Sequence, residues 1–323
     1  MRRTLFLHVG PAKTGTSAVQ HVLQRHDNSI VIYPKVGLWA DGSHHNLVLN
    51  YFGEYSRPEV VREDPADLLA RIGSEARRSA RNIVISSEAL AGRKDIVGFV
   101  AALEKEIAEP LHVKIVVVAR EHFERAASLY NQRVKDGVTG EKRNPDEFLA
   151  AHAQGLCYGN LLKRLRSMGF AISVINYHPA ESCVERVLAL FGFSQGAAAN
   201  QPTRNVSLSR AALVASLAAN RIAACGEERS KFVAALRRMP GFHAPAEFIF
   251  GADAAFAADD KFGKDRTFLL RRFDIEFQLP DFSTSPAPFG VDEAEFGRIS
   301  AIAAQFGSFG QSLIEIVQPY LRA

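Results

Sequence analysis

Leu5-Phe-Leu-His-Val-Gly-Pro-Ala-Lys-Thr-Gly-Thr-Ser17 is the stretch whose reading decides the fold. Its apolar start, Leu5 to Val9, reads as a buried strand. The strand breaks at Gly10-Pro11 and the chain turns through Lys13-Thr14-Gly15. An amphipathic helix then opens with Ala18, Val19, Val22 and Leu23 on one face. A strand, a glycine-bearing turn and a helix N-terminus together make an anion site. The turn presents backbone N–H groups, and the helix dipole adds partial positive charge. Phosphate is the natural occupant. An ordinary strand-to-helix turn with a solvated lysine is the plainer alternative.

The loop departs from the nucleotide-binding pattern G-x-x-x-x-G-K-[ST] in an informative place. Gly10 and Gly15 keep the spacing, but Thr16 stands where the lysine belongs, followed by Ser17. The lysine lies three residues earlier, at Lys13, inside the loop. Two later strand candidates end as Ile85-Ser-Ser-Glu88 and Val118-Ala-Arg120, and neither supplies the aspartate that helps to hold magnesium. A magnesium-dependent kinase or ATPase would lack two of its working parts.

The 323 residues, 47% hydrophobic and 23% charged, suffice for one large α/β domain or two small ones with a sizeable core. The 39 basic and 35 acidic residues leave a charge of +4. That suits an anionic ligand and is too small to indicate nucleic acid. Cys157, Cys183 and Cys225 are far apart and show no C-x-x-C spacing. They predict a reducing compartment, with neither a disulfide framework nor a metal site. The apolar run before Lys13 is too short for a signal peptide, and no segment approaches the roughly 18 apolar residues of a membrane anchor. A cytoplasmic location is the expectation. Oligomeric state has no signature.

Further strands are predicted over 29–34, 82–88, 113–120 and 170–177. Helices are predicted over about 15–26, 65–81, 95–108, 145–154, 158–168 and 182–191, with one more bearing Phe123, Ala126, Ala127, Tyr130 and Val134. Alternation of this kind implies an α/β fold: three layers, P-loop-like, with a central mostly parallel sheet covered on both faces. Past 196–202 the pattern turns helical, with helices at 207–222 and 227–239 and helical pieces near 266–273 and 292–306. The chain reads as one domain. Its nucleotide-binding core would be 1–195, and 196–323 a mainly helical extension contributing to the acceptor site.

A second constellation stands at Arg120, the carboxyl end of a β-branched run, with Ser128 eight residues later on the next helix. Open α/β sheets bind ligands at that end of their strands. A guanidinium and a hydroxyl so placed can grip one phosphate. Taken alone, Arg120 is equally an ion-pair partner and Ser128 a surface residue.

The two phosphate motifs together resemble the sulfotransferases that use 3′-phosphoadenosine 5′-phosphosulfate (PAPS). His8-Val-Gly-Pro-Ala-Lys-Thr-Gly-Thr-Ser17 looks like that family's 5′-phosphosulfate loop in its bacterial form, and Arg120 to Ser128 like its 3′-phosphate motif. Asn205-Val-Ser-Leu-Ser209 resembles a short C-terminal element of bacterial members, so the likeness covers about residues 4 to 210. The resemblance implies sulfuryl transfer without a metal to a hydroxyl acceptor, a carbohydrate or glycolipid, with adenosine 3′,5′-bisphosphate as product. Lys13 would meet the bridging oxygen of the leaving group. Thr14, Gly15, Thr16 and Ser17 would cradle the 5′-phosphate, and Arg120, Ser128 and Arg204 would bind the 3′-phosphate. An atypical P-loop kinase and a non-catalytic nucleotide-binding scaffold are the alternatives.

The acceptor hydroxyl needs a base. Glu88 is the first candidate, at a strand end beside the Lys13 loop, where several family members carry a catalytic His or Glu. Its plainer reading is a helix N-terminal charge or ion-pair partner. His44 and His45 are the second choice, in a loop ahead of Asn46, and as a pair they are also ordinary solvated or hydrogen-bonded histidines. Asn205 also reads as the N-cap of the helix near Ser207.

Overall fold

The computed structural model describes residues 2–25, 31–136, 140–177, 182–194, 196, 207–222, 226–244, 248–280 and 289–322. Strand and helix alternate as β1 (Thr4–His8), α1 (Thr16–Arg25), β2 (Val31–Ile32), α2 (His45–Tyr51), α3 (Pro65–Arg77), β3 (Asn82–Ser86), α4 (Ile96–Ile107) and β4 (His112–Ala119). Next come α5 (His122–Lys135), α6 (Pro145–Leu156), α7 (Gly159–Ser167), β5 (Ala171–Asn176) and α8 (Cys183–Leu190). The rest comprises β6 (Ser207–Leu208), α9 (Arg210–Arg221), α10 (Gly226–Leu236), β7 (His243–Ala244), α11 (Ala252–Phe273), α12 (Glu293–Ala303) and α13 (Gly307–Val317).

Five strands pair in the order β2-β3-β1-β4-β5, every pair parallel. Successive strand side chains alternate between faces, and the core shows it. Leu5, Leu7, Ile83, Ile85, Ile115 and Val117 are buried with residues of α2, α3, α4 and α7. Phe6, Val84, Val116, Val118 and Ile175 are buried on the other side with residues of α1 and α8. Helices therefore cover both faces of a parallel sheet, the α/β layering that the alternation predicts.

The connections place the site. From β1 the chain passes to β2 and β3 on one side, then to β4 and β5 on the other. The carboxyl end of β1 is thus the switch point at which α/β sheets form a ligand crevice. His8, the last residue of β1, stands opposite Ser86 on β3 and Val116 on β4.

Two compact units divide the chain. The first holds Met1–Arg120, Tyr158–Pro202 and Phe268–Phe277, and the second Glu121–Cys157, Thr203–Thr267 and Gln278–Ala323. The expected core over 1–195 is therefore interrupted, because α5 and α6 belong to the second unit. There Phe123, Ala126, Tyr130 and Phe148 share a core with Leu213, Leu217, Phe309 and Leu313.

Smaller differences have local causes. The helix expected from Ser207 starts at Arg210, because Ser207 and Leu208 pair antiparallel with Ala244 and His243. Its N-cap is Ser209, which accepts from the Ala212 N–H, while Asn205 lies outside the described residues. The piece expected near 266–273 is the end of a 22-residue helix.

Candidate active site

Three strand ends in the first unit bring Lys13, Glu88 and Arg120 to one place. Lys13 follows β1, Glu88 follows β3 and Arg120 follows β4. Burial lowers the pKa of the Lys13 ammonium, the Glu88 carboxylate pulls it up, and the Arg120 guanidinium pushes it further down. Arg120 also donates from Nη1 to the Lys13 carbonyl at 3.4 Å.

The Lys13 loop is built from unusual backbone. Lys13 has φ +75° and Gly15 φ +84°. At Gly15 the absent side chain makes this easy, but at Lys13 the left-handed conformation costs roughly 1–2 kcal/mol. Thr14 closes the turn by donating from Oγ1 to the Pro11 carbonyl at 2.9 Å. The Ala18 N–H in the first turn of α1 donates to the Gly15 carbonyl at 3.2 Å, while those of Thr16 and Ser17 precede the first intrahelical acceptor.

Beneath the loop lies a polar floor. A Cβ placed on Gly10 would stand 3.2 Å from Thr16 Oγ1, 3.3 Å from Thr14 Oγ1 and 3.5 Å from His8 Nε2. His8 Nε2 and Thr16 Oγ1 are buried and meet no hydrogen-bond partner among the described residues. Orphaned buried polar atoms are costly and ask for a partner. Thr14 Oγ1 is already engaged with the Pro11 carbonyl, so His8 Nε2 and Thr16 Oγ1 are the two buried polar atoms left open here, beside a helix N-terminus and a lysine.

The end of β3 ties this floor to the histidine pair. Ser86 Oγ lies 2.9 Å from His8 Nδ1 and accepts from Gln20 Nε2 at 3.1 Å. His44 is wholly buried: its Nε2 donates to the Pro34 carbonyl at 2.9 Å, and its Nδ1 accepts from the Ser86 N–H at 3.2 Å. Both ring nitrogens are engaged, so His44 is a core histidine holding the strand end, and the candidate bases narrow to Glu88 and His45. His45 Nδ1 lies 2.7 Å from Ser87 Oγ, next to Glu88, and its ring meets Trp39 edge-on at 4.7 Å.

The same burial sets a pH dependence. It lowers the pKa of His8 to about 4 and that of His44 to about 3, from an ordinary 6.5. The unfolded chain therefore binds more protons between those values, and stability falls as the pH falls there. The contribution is whole above about pH 6.5 and is lost progressively as pH drops toward 4. The urea midpoint should be clearly lower at pH 5 than at pH 7; equal midpoints would contradict this placing of the two rings.

Two tyrosines that the sequence reading passes over shape the Arg120 end. The Tyr158 hydroxyl accepts from the Arg120 N–H and donates to the Arg120 carbonyl, each at 2.8 Å. The Arg120 guanidinium lies over the Tyr177 ring at 4.7 Å, and a Cβ on Gly15 would come within 3.6 Å of the same ring. The one sequence signal for it is the position of Tyr177 just past a strand end. Ser128 is half-buried on α5, in the second unit, and its expected share of a phosphate rests on its spacing from Arg120. Arg204 lies outside the described residues.

Among the described residues one cysteine, of a set expected to bind no metal, stands in a group of possible ligands. In the second unit Cys157 lies with His122 and Asp265, their ligand atoms within 4.8 Å of one another. His122 Nε2 and Asp265 Oδ2 are 2.8 Å apart, a buried hydrogen bond that accounts for two of the three. Among the described residues no helix is long and apolar enough to cross a membrane.

No protein-family model matches the sequence, and no curated protein does. Among solved structures the chain is similar to mouse sulfotransferase SULT7A1 complexed with PAP, at 11% identity and a TM-score of 0.35, over 97% of this chain and 88% of that one. A likeness at that score carries no argument about activity.

Proposed function

We propose that the chain is a PAPS-dependent sulfotransferase acting on a hydroxyl of a glycan or glycolipid. One observation carries the reading: the loop lysine, held in a left-handed turn, is flanked by Glu88 and Arg120 at the switch point of the sheet. A phosphate loop with its lysine inside the turn, and Glu88 and Arg120 rather than an aspartate after the neighbouring strands, suits a leaving group neutralised by the protein itself.

Bound there, PAPS supplies an activated sulfuryl group and leaves as adenosine 3′,5′-bisphosphate. The loop N–H groups from Thr14 to Ser17 and the nearby hydroxyls hold the 5′-phosphate. Arg120 holds the 3′-phosphate. Lys13 sets positive charge against the oxygen that gains charge as the bond to sulfur breaks. Its lowered pKa also makes it a readier proton donor to that oxygen. Glu88 takes the proton of the acceptor hydroxyl, and His45 with Ser87 orients the strand end that carries it.

Transfer of radiolabelled sulfate tests the assignment of the base. Glu88→Gln keeps the shape and removes the proton acceptor, so turnover should fall by about 10²–10⁴-fold. Binding of adenosine 3′,5′-bisphosphate should persist. Normal turnover in Glu88→Gln would move the role to His45, and turnover lost together with nucleotide binding would make Glu88 structural.

A further inference from the structure

The first unit holds a cavity of about 900 Å³, lined by the 35–41 loop together with Asn46, Glu59, Val61, Glu63, Arg71 and Glu75. That is large enough for a two-ring ligand. Its wall depends on Gly37, whose φ is +72°: a Cβ there would lie 2.7 Å from Leu47 Cβ and 3.0 Å from Leu47 N, so α2 can approach this loop only at a glycine. Trp39 is pinned in a tight turn, its backbone N–H donating to the Ser43 carbonyl at 2.8 Å. Asp41 closes that turn by accepting from the Ser43 N–H and hydroxyl at 2.9 and 2.7 Å. From Trp39 the path to the reacting end is short: the His45 ring at 4.7 Å, then Ser87 Oγ at 2.7 Å from His45, then Glu88 next in sequence.

The lining has a consistent chemistry. Val36, Leu38, Trp39 and Val61 give it an apolar side with an indole ring, the surface on which a ring face or a cation settles. The charged side is acidic: Asp41, Glu59, Glu63 and Glu75 against Lys35 and Arg71. Arg71 is spent on Glu63, at 3.1 Å. The Lys35 ammonium is turned to the Gln24 carbonyl and over the Tyr33 ring. Glu75 Oε2 accepts from the Lys35 backbone N–H at 2.9 Å. With Asp41, Glu59, Glu63 and Glu75 against these two cations, the lining keeps a net negative charge.

We infer that this cavity is the acceptor site, and that the acceptor is a hydroxyl compound with a free ammonium group: a sugar ring on Trp39 with its amine facing the carboxylates. The inference rests on the sulfotransferase reading only in calling the ligand an acceptor, and its test uses no nucleotide. Trp39 is the single tryptophan of the chain, so its emission reports occupancy of this cavity.

The experiment titrates the full chain at neutral pH with three β-1,4-linked disaccharides differing in charge: unacetylated glucosamine disaccharide, cellobiose and cellobiouronate. Emission should change with the first, at an affinity about tenfold above that for cellobiose, and least with the uronate. Glu59 is exposed, so Glu59→Gln should fold normally and narrow the gap between the first two by roughly two- to fivefold. A uronate that binds as tightly as the amine overturns the inference. So does a gap unchanged in Glu59→Gln, or Trp39 emission indifferent to all three. Failure of adenosine 3′,5′-bisphosphate to bind would leave every one of these readings intact, so the two proposals fail separately.

Discussion

Lys13→Met is expected to cut the turnover of sulfuryl transfer by about 10²–10³-fold, the usual cost of removing one charge-stabilising group from a transition state. Affinity for adenosine 3′,5′-bisphosphate should change by about tenfold or less, because the phosphate keeps its loop N–H groups and Arg120. The backbone sharpens this prediction. Lys13 sits at φ +75°, a conformation that a lysine adopts at a cost and glycine adopts freely. Lys13→Gly should therefore be no less stable than the parent and still lose turnover. Such a pair of results fits strain retained at a functional site. Turnover within about threefold of the parent in both variants would remove Lys13 from the chemistry.

Arg120→Ala should weaken adenosine 3′,5′-bisphosphate by about 10–100-fold, the loss of a charge-assisted contact worth roughly 1.5–3 kcal/mol. Adenosine 5′-monophosphate, which has no 3′-phosphate, should bind nearly as before. The backbone at Arg120 should stay in place, because the Tyr158 hydroxyl holds both its N–H and its carbonyl. Arg120 also reaches the Lys13 carbonyl, so the two nucleotides together separate a role at the 3′ end from one at the 5′ end. If calorimetry finds both weakened equally, the guanidinium serves the 5′ end instead.

Sheet and loop were legible for the same reason. β3 and β4 are β-branched runs and β1 a short apolar one, all bounded by turn chemistry, and the loops that follow them carry the residues singled out: Glu88, Arg120 and Lys13. What periodicity withholds is the partner of an apolar face. Phe123, Ala126 and Tyr130 mark one side of α5 clearly, yet nothing local says that α9, far along the chain, packs against it. Adjacent residues posed the same difficulty. His44 and His45 look equivalent in sequence, but α2 begins between them. Neighbours on a helix point in different directions, so one ring enters the core and the other meets Trp39 and Ser87. His8 was visible as a residue and silent as a site, since its role depends on register: only pairing with Ser86 brings its ring against Gly10. The cavity is silent for a related reason, being assembled from turns whose glycines have meaning only beside α2.

Thermal unfolding with adenosine 3′,5′-bisphosphate, set against ATP with magnesium, tests most directly whether the Lys13 loop serves a 3′-phosphorylated nucleotide without a metal. At about 100 times its dissociation constant the bisphosphate should stabilise the fold by roughly 2.7 kcal/mol, a shift of several degrees, and ATP with magnesium should do much less. Stabilisation by ATP with magnesium and none by the bisphosphate would contradict the sulfotransferase reading outright.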